Sequence, residues 1–324
     1  MATNSNNIRN ISFISHGGAG KTTLTEMCLL NAGAINNPGS VDEGNSHSDF
    51  TPEEKEHEYS INNSYFTIKW NNKHINLIDT PGYADFRGEL ASASRMVEST
   101  VLLIDGTAGI EVNTGYVWSV ACENDLSRFI FINKLDQEGA KFSEVLEELN
   151  NNFDDTLVPI TIPDGEGENF QGIIDLLTQE KIDEEGNKED VSGESLSDME
   201  NYRLELIEAI VELDDELMMK YLEDEEITDK ELVNALINGV NNGNIVPVFA
   251  GSALENTGVK TLLNYLVKLS PGPLDNEVVT GKSGEEDIEI PIEEDGPLVG
   301  IVGKTMVDPY IGKLSIFRIY SGSL

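Results

Sequence analysis

Ser15-His16-Gly17-Gly18-Ala19-Gly20-Lys21-Thr22-Thr23 closes a short apolar run that begins at Ile8 and leads into a helix-period stretch, Leu24 to Ala32. Strand, glycine-rich turn and helix in that order make a phosphate cradle. The glycines let backbone N–H groups turn inward on an anion, and the helix brings its positive N-terminal end to the same point. In such a loop Lys21 reaches the β- and γ-phosphates and the Thr22 hydroxyl holds Mg2+. The motif ordinarily opens with Gly, where this chain has Ser15.

Outward from the loop, strands and helices alternate. After a polar segment from Asn36 to Asn63, Tyr65 to Trp70 and Ile75 to Ile78 read as a strand pair across Asn71-Asn72-Lys73. Apolar strands follow at Val101 to Ile104 and Phe129 to Ile132, with a helical stretch, Glu111 to Cys122, between them. Such runs spaced by helices predict an α/β fold, a mostly parallel sheet covered on both faces. The pattern resumes at Ile245 to Phe249 and a helix from Gly258 to Leu269.

Residues 138–240 differ in charge. They hold 31 Asp and Glu against 6 Lys and Arg, so they carry −25 of the chain's −38. Strands are expected at Leu157 to Ile162 and Phe170 to Leu177. An acidic amphipathic helix is expected from Asp198 to Tyr221, with Ser197 as N-cap and Glu200 completing a capping box, and another near Thr228 to Val240. Beyond Ser270-Pro271-Gly272-Pro273, Asp275 to Asp295 reads as an acidic linker or loop. Two β-rich runs follow, Leu298 to Val307 and Leu314 to Tyr320.

The 324 residues contain 21 Lys and Arg against 59 Asp and Glu, which excludes a basic sleeve for direct nucleic-acid binding. No run approaches the roughly 18 apolar residues of a membrane span, and Met1 to Asn10 shows no secretory h-region. Cys28 and Cys122 read as free thiols of a cytoplasmic protein.

Three further motifs each end an apolar strand. Asp79-Thr80-Pro81-Gly82 offers a carboxylate to a Mg2+ shell and the Gly82 N–H to a γ-phosphate. Asn133-Lys134-Leu135-Asp136 offers a carboxylate that accepts from both N1–H and the 2-amino group of guanine. Gly251-Ser252-Ala253 presents a backbone N–H to guanine O6. Together with the glycine loop they describe a guanine-nucleotide site.

With these stretches the chain resembles the translational GTPases, most closely elongation factor G and its divergent elongation-factor-G-like paralogues. Asp79 to Phe86, Val248 to Val259, and Asp308 to Leu314 through Arg318 to Gly322 carry the likeness further. The resemblance implies a P-loop GTPase domain at 1–275 with an acidic α+β insert at about 155–242. It implies a linker at 276–297 and the start of a truncated β-barrel domain at 298–324, so that the chain is an N-terminal fragment. GTP is then the substrate, GDP the product and Mg2+ the cofactor, held by Thr22, Ser60 and Asp79. His16 to Thr23, Asp79, Gly82, Asn133, Lys134, Asp136, Gly251, Ser252 and Ala253 would bind nucleotide. The ribosome is the partner, with the ribosomal stalk protein on the acidic insert; a solvated face with no partner is the other reading of that helix. The family has a catalytic His where this chain has Tyr83. A phenol can hydrogen-bond water but cannot supply an imidazolium charge near neutral pH. Gly17 and Gly18 replace an apolar residue and an Asp, and His57-Glu58-Tyr59-Ser60 replaces Arg-Gly-Ile-Thr. These departures bear on hydrolysis more than on binding. Two readings follow, a GTPase acting on the ribosome and a GTP-dependent ribosome-binding factor whose hydrolysis is vestigial. Finally, two strands at 298–324 cannot stand alone in water, and a second copy adding strands edge to edge is the expected cover.

Overall fold

In the computed structural model, which describes residues 4–284, 286–308 and 312–324, the run before the glycine loop is strand β1 (Ile8–Ile14), buried almost throughout. The loop enters α1 (Lys21–Asn31), and the polar segment beyond it holds α2 (Pro52–His57). Thr51 caps α2 with a capping box closed by Glu54. Strands β2 (Ser64–Trp70) and β3 (Lys73–Asp79) pair antiparallel. Asn71 (φ 44°) and Asn72 (φ 63°) supply the two left-handed residues their tight turn needs. Then come α3 (Arg87–Ser94), β4 (Ser99–Asp105), α4 (Thr114–Glu123), β5 (Ser127–Asn133), α5 (Phe142–Asn152) and β6 (Leu157–Pro159).

The insert follows as β7 (Thr161–Asp164), β8 (Gly172–Asp175), β9 (Glu180–Asp183), β10 (Lys188–Asp190), α6 (Glu194–Val211), α7 (Asp215–Leu222) and α8 (Asp229–Asn241). The chain returns to the main sheet with β11 (Val246–Ala250) and α9 (Val259–Leu269). It ends in two hairpins, β12 (Val278–Ser283) with β13 (Glu286–Pro291), and β14 (Val299–Asp308) with β15 (Gly312–Ser321).

The central sheet runs β2-β3-β1-β4-β5-β11-β6, parallel except for β2. Its core is built from side chains such as Phe13, Leu102, Phe129, Phe131 and Phe249, none more than 1% exposed. Because the strands run parallel, the loops after β1, β3, β5 and β11 emerge at one edge, where open α/β sheets bind ligands. No described helix is long and apolar enough to cross a membrane.

Several local expectations need correction. The strand expected over Leu157 to Ile162 is two strands: β6 joins the main sheet beside β11, and β7 starts a separate sheet of order β10-β9-β8-β7. The acidic helix starts earlier and breaks. Gly193 precedes Glu194, so Ser197 lies inside α6 and is not its cap. The break falls at 212–214, where the Asp214 carboxylate accepts from Glu216 N and Leu217 N and starts α7 anew. The stretch expected as a linker holds the β12–β13 hairpin.

The last hairpin makes intramolecular contacts with the main body, while Val302, Val307 and Phe317 stay exposed. Lys304 Nζ donates to Asn63 O at 2.7 Å, Ser92 Oγ donates to Gly303 O, and Tyr320 OH donates to Arg95 O. Arg318 pairs with the fully buried Glu98 side chain, which also accepts from Asn10 Nδ2 at 2.8 Å. An uncompensated buried carboxylate would be costly, so this pair ties β15 to β1 and the start of β4. Pro309, Tyr310 and Ile311, part of the resembling stretch, lie outside the described residues.

Candidate functional site

The glycine loop leaves β1 at Ser15 and enters α1 through Gly20. Gly20 (φ 98°) is required twice over, because a Cβ there would also lie 2.4 Å from Asn133 Nδ2. Lys21 folds back over the loop, donating to Ser15 Oγ at 2.7 Å and His16 O at 3.3 Å. Burial lowers its pKa to about 8, against the pull of Asp79 and Asp49. A cationic group held dry at the centre of a glycine loop is poised for an anion. Gly82 closes one side, near enough that a Cβ would meet Lys21 Nζ at 2.6 Å and Gly17 N at 2.7 Å. Asn113 Nδ2 pins its carbonyl at 3.1 Å.

Beside Lys21 lies a cluster of oxygens. Thr22 Oγ1 donates to Asp79 Oδ2 at 3.1 Å and lies 3.4 Å from Ser60 Oγ. Asp79 Oδ1 is buried without a hydrogen-bond partner, and desolvation raises the carboxyl to about 6. The sequence reading missed Asp49. It is 3% exposed beside the Ser60 hydroxyl, and neither of its carboxylate oxygens is bonded. Two hydroxyls and two carboxylates with unsatisfied oxygens form a donor set that suits a hard divalent cation such as Mg2+. Buried acids left without partners are otherwise expensive.

The loops after β1, β5 and β11 meet at one amide. Asn133 Nδ2 donates to Ala19 O at 2.9 Å, and Asn133 Oδ1 accepts from Ala253 N at 2.7 Å. A single side chain thus links the phosphate loop, the loop after β5 and the loop after β11. Lys134, in the left-handed region at φ 62°, reaches Asp105 at 2.7 Å. Leu135 N donates to Gly251 O at 3.3 Å, and Ser252 and Thr257 bond backbone to backbone in both directions. Asp136 Oδ1 is buried and unbonded. All the expected nucleotide residues therefore converge on one edge of the sheet, and Thr23 lines the same cleft as Lys21 and Ser60.

A second omission is Glu26 of α1, 1% exposed. It accepts from Gly39 N at 2.8 Å, His47 N at 2.6 Å and Ser46 Oγ at 3.3 Å, and its Oε2 lies 2.9 Å from His47 Nδ1. It holds the long loop that delivers Asp49 and Ser60. The only hint in the sequence is an acid amid the apolar run Leu24 to Leu29. Tyr83 is 43% exposed, with its ring centroid 4.8 Å from that of Tyr59. The histidines show no metal cluster among the described residues.

Fold and site together define a P-loop nucleotide-binding domain. The elongation factor Tu GTP binding domain matches residues 6–272, and the chain belongs to that family, the translational GTPases. A solved protein of Thermus thermophilus is similar over 97% of this chain, with 32% sequence identity and a TM-score of 0.87. This chain spans 46% of that longer one.

Proposed function

We propose that this chain binds GTP with Mg2+ and hydrolyses it, as the GTP-binding part of a translation factor of the elongation factor G kind that acts on the ribosome. The observation that carries the reading is the Asn133 cross-link, which fixes the unbonded Asp136 carboxylate relative to the loop that holds Lys21. In it, the backbone of His16 to Gly20 and the amides of Thr22 and Thr23 wrap the phosphates, and Lys21 contacts the β- and γ-oxygens. Gly82 N–H faces the γ-phosphate, Asp136 takes the two guanine donors, and Gly251 to Ala253 face O6. Thr22, Ser60 and Asp79, with Asp49 beside them, would hold Mg2+, whose charge offsets that building on the phosphate oxygens. Water oxygen bonds to the γ-phosphorus as the bond to the β-phosphate oxygen breaks. GDP leaves with the electron pair, and the water's proton passes to phosphate.

Residues 1–275 are read as the GTP-binding unit, about 155–242 as its insert and 298–324 as the start of a β-barrel domain. The acidic insert is read as the contact for the ribosomal stalk protein. Its helices expose Leu204, Met219 and Leu222 among their acids, which supports a partner there.

Tyr83 favours a second reading, a GTP-dependent ribosome-binding factor with vestigial hydrolysis. Single-turnover hydrolysis with and without ribosomes separates the two; absence of stimulation sinks the first. Tyr83→His is expected to raise the stimulated rate at least about tenfold, a cautious floor under the roughly 10²–10⁴-fold that a positioned proton-transfer group supplies. A flat rate would move the limitation to Gly17, Gly18 and Glu58.

The depressed Lys21 pKa sets a pH dependence. In the free protein Lys21 loses its proton as pH rises through about 8. Bound triphosphate favours the charged form, so binding takes up a proton there. GTP affinity is therefore expected to fall by up to about tenfold per pH unit above 8. Calorimetry at pH 7 and 9, in buffers of different ionisation heat, measures both the affinity and the proton.

A further inference from the structure

Gly17 and Tyr83 fit one another. A Cβ built on Gly17 would lie 2.9 Å from Tyr83 Cζ and 3.1 Å from each Cε, with no nearer neighbour. Gly18 (φ 84°) and Gly20 (φ 98°) are left-handed, whereas Gly17 is not. Glycine at 17 is therefore required by the ring above it and not by backbone conformation. The contrast with Gly18 is direct, since a Cβ there would meet nothing within 4 Å.

Burial does not hold Tyr83 in place, because 43% of it is exposed. Its ring rests on two supports, the loop floor at Gly17 and the Tyr59 ring, tilted 57° at 4.8 Å. Tyr59 in turn stacks on His57 at 5.5 Å and lies 6.1 Å from Phe86. Tilted and offset aromatic pairs of this kind attract through their quadrupoles. A continuous line of contacts thus runs from the segment carrying Ser60, across Tyr83, to the phosphate loop. Gly17, Tyr59 and Tyr83 border the same cleft as Lys21, Thr22 and Ser60.

We propose that Gly17 is a positioning residue: its missing side chain seats the Tyr83 ring on the phosphate loop, where Tyr83 and Tyr59 together close the γ-phosphate side of the cleft. This rests on the reading of the cleft as a triphosphate site. Tyr83 borders the cleft, and its phenol is a donor and acceptor for water or a phosphate oxygen. Any side chain at 17 would displace the ring. Because the displaced group is the far end of a half-exposed side chain, the ring moves and the fold stays.

The test labels the chain with 3-fluorotyrosine and assigns the Tyr83 and Tyr59 signals among the nine tyrosines by Phe replacement. Gly17→Val is expected to shift those two signals and leave the others in place. Gly17→Ala adds the same Cβ and serves if the valine variant does not fold. In parallel, release of a fluorescent GTP analogue is expected to quicken at least about fivefold in Gly17→Val, but to change little when Gly17→Val is made in the Tyr83→Ala background. Unmoved Tyr83 and Tyr59 signals in a folded variant, or an equal effect in both backgrounds, would overturn the proposal. If the unsubstituted chain binds no nucleotide, the triphosphate reading fails by itself, and the fluorine signals still decide whether Gly17 seats the ring.

Discussion

Lys21→Ala is expected to raise the dissociation constant for GTP by about two orders of magnitude or more and to leave the fold intact. Among the described residues the buried ammonium bonds to Ser15 Oγ and the His16 carbonyl, both neutral. Its full value is realised when an anion enters. Each charge-assisted hydrogen bond to phosphate contributes roughly 1.5–3 kcal/mol, and two of them account for a factor of a hundred or more. The loss spreads to the cation corner. Lys21 is the positive charge that pulls the Asp79 carboxyl back down against desolvation, so without it Asp79 binds its proton more tightly and Mg2+ less well. The fold is spared because Asp79, left without its counter-charge, takes up a proton instead of remaining an uncompensated buried anion. Calorimetry with a non-hydrolysable GTP analogue, beside a thermal melt, measures both effects. A dissociation constant within threefold of the parent chain would remove Lys21 from the phosphate contacts.

What the sequence revealed of this site follows from where each residue's job is defined. Asp79, Asn133 and Gly251 each follow an apolar strand directly, so their places on the sheet edge are set within a few residues of a readable signal. Asp49 and Glu26 have no such anchor. Asp49 lies in the long segment between α1 and β2 and reaches the cation corner only because Glu26 holds Gly39, Ser46 and His47 from the helix side. That is a tertiary fact, invisible to spacing. The helix break at Asp214 was hidden for a different reason. In a stretch this acidic, a capping aspartate looks like another solvated charge. Ser197 made the opposite error possible, a good capping sequence overridden upstream at Gly193, where Ser195 Oγ donates to Asp164 at 2.7 Å. The β12–β13 hairpin was legible in part. Asp287-Ile288-Glu289-Ile290 alternates with the period of a strand, but the surrounding acids drew the reading toward a loop. The mutual fit of Gly17 and Tyr83, far apart in sequence, needed coordinates.

Asp136→Asn is expected to weaken GTP more than tenfold and to make the protein prefer xanthosine nucleotides. Guanine presents two donors side by side, N1–H and the 2-amino group, and a carboxylate answers both with acceptors. An amide answers with one acceptor and one donor. The donor then faces a donor, and the remaining bond loses its charge, which together exceed the roughly 1.5–3 kcal/mol of a single charge-assisted bond. Xanthine carries a carbonyl where guanine has its amino group, so the amide matches it. The substitution suits the test because Asp136 does not hold the loops together. Asn133 does that, through Ala19 and Ala253, whereas Asp136 Oδ1 is buried without a partner. An exchange at Asn133 would loosen three loops at once and confuse base recognition with collapse of the site. An exchange at Asp136 changes the pattern facing the base and little else. Competition of GTP and XTP against a fluorescent GDP analogue reads the switch in one titration, and an unchanged preference for GTP would show that the base is read elsewhere.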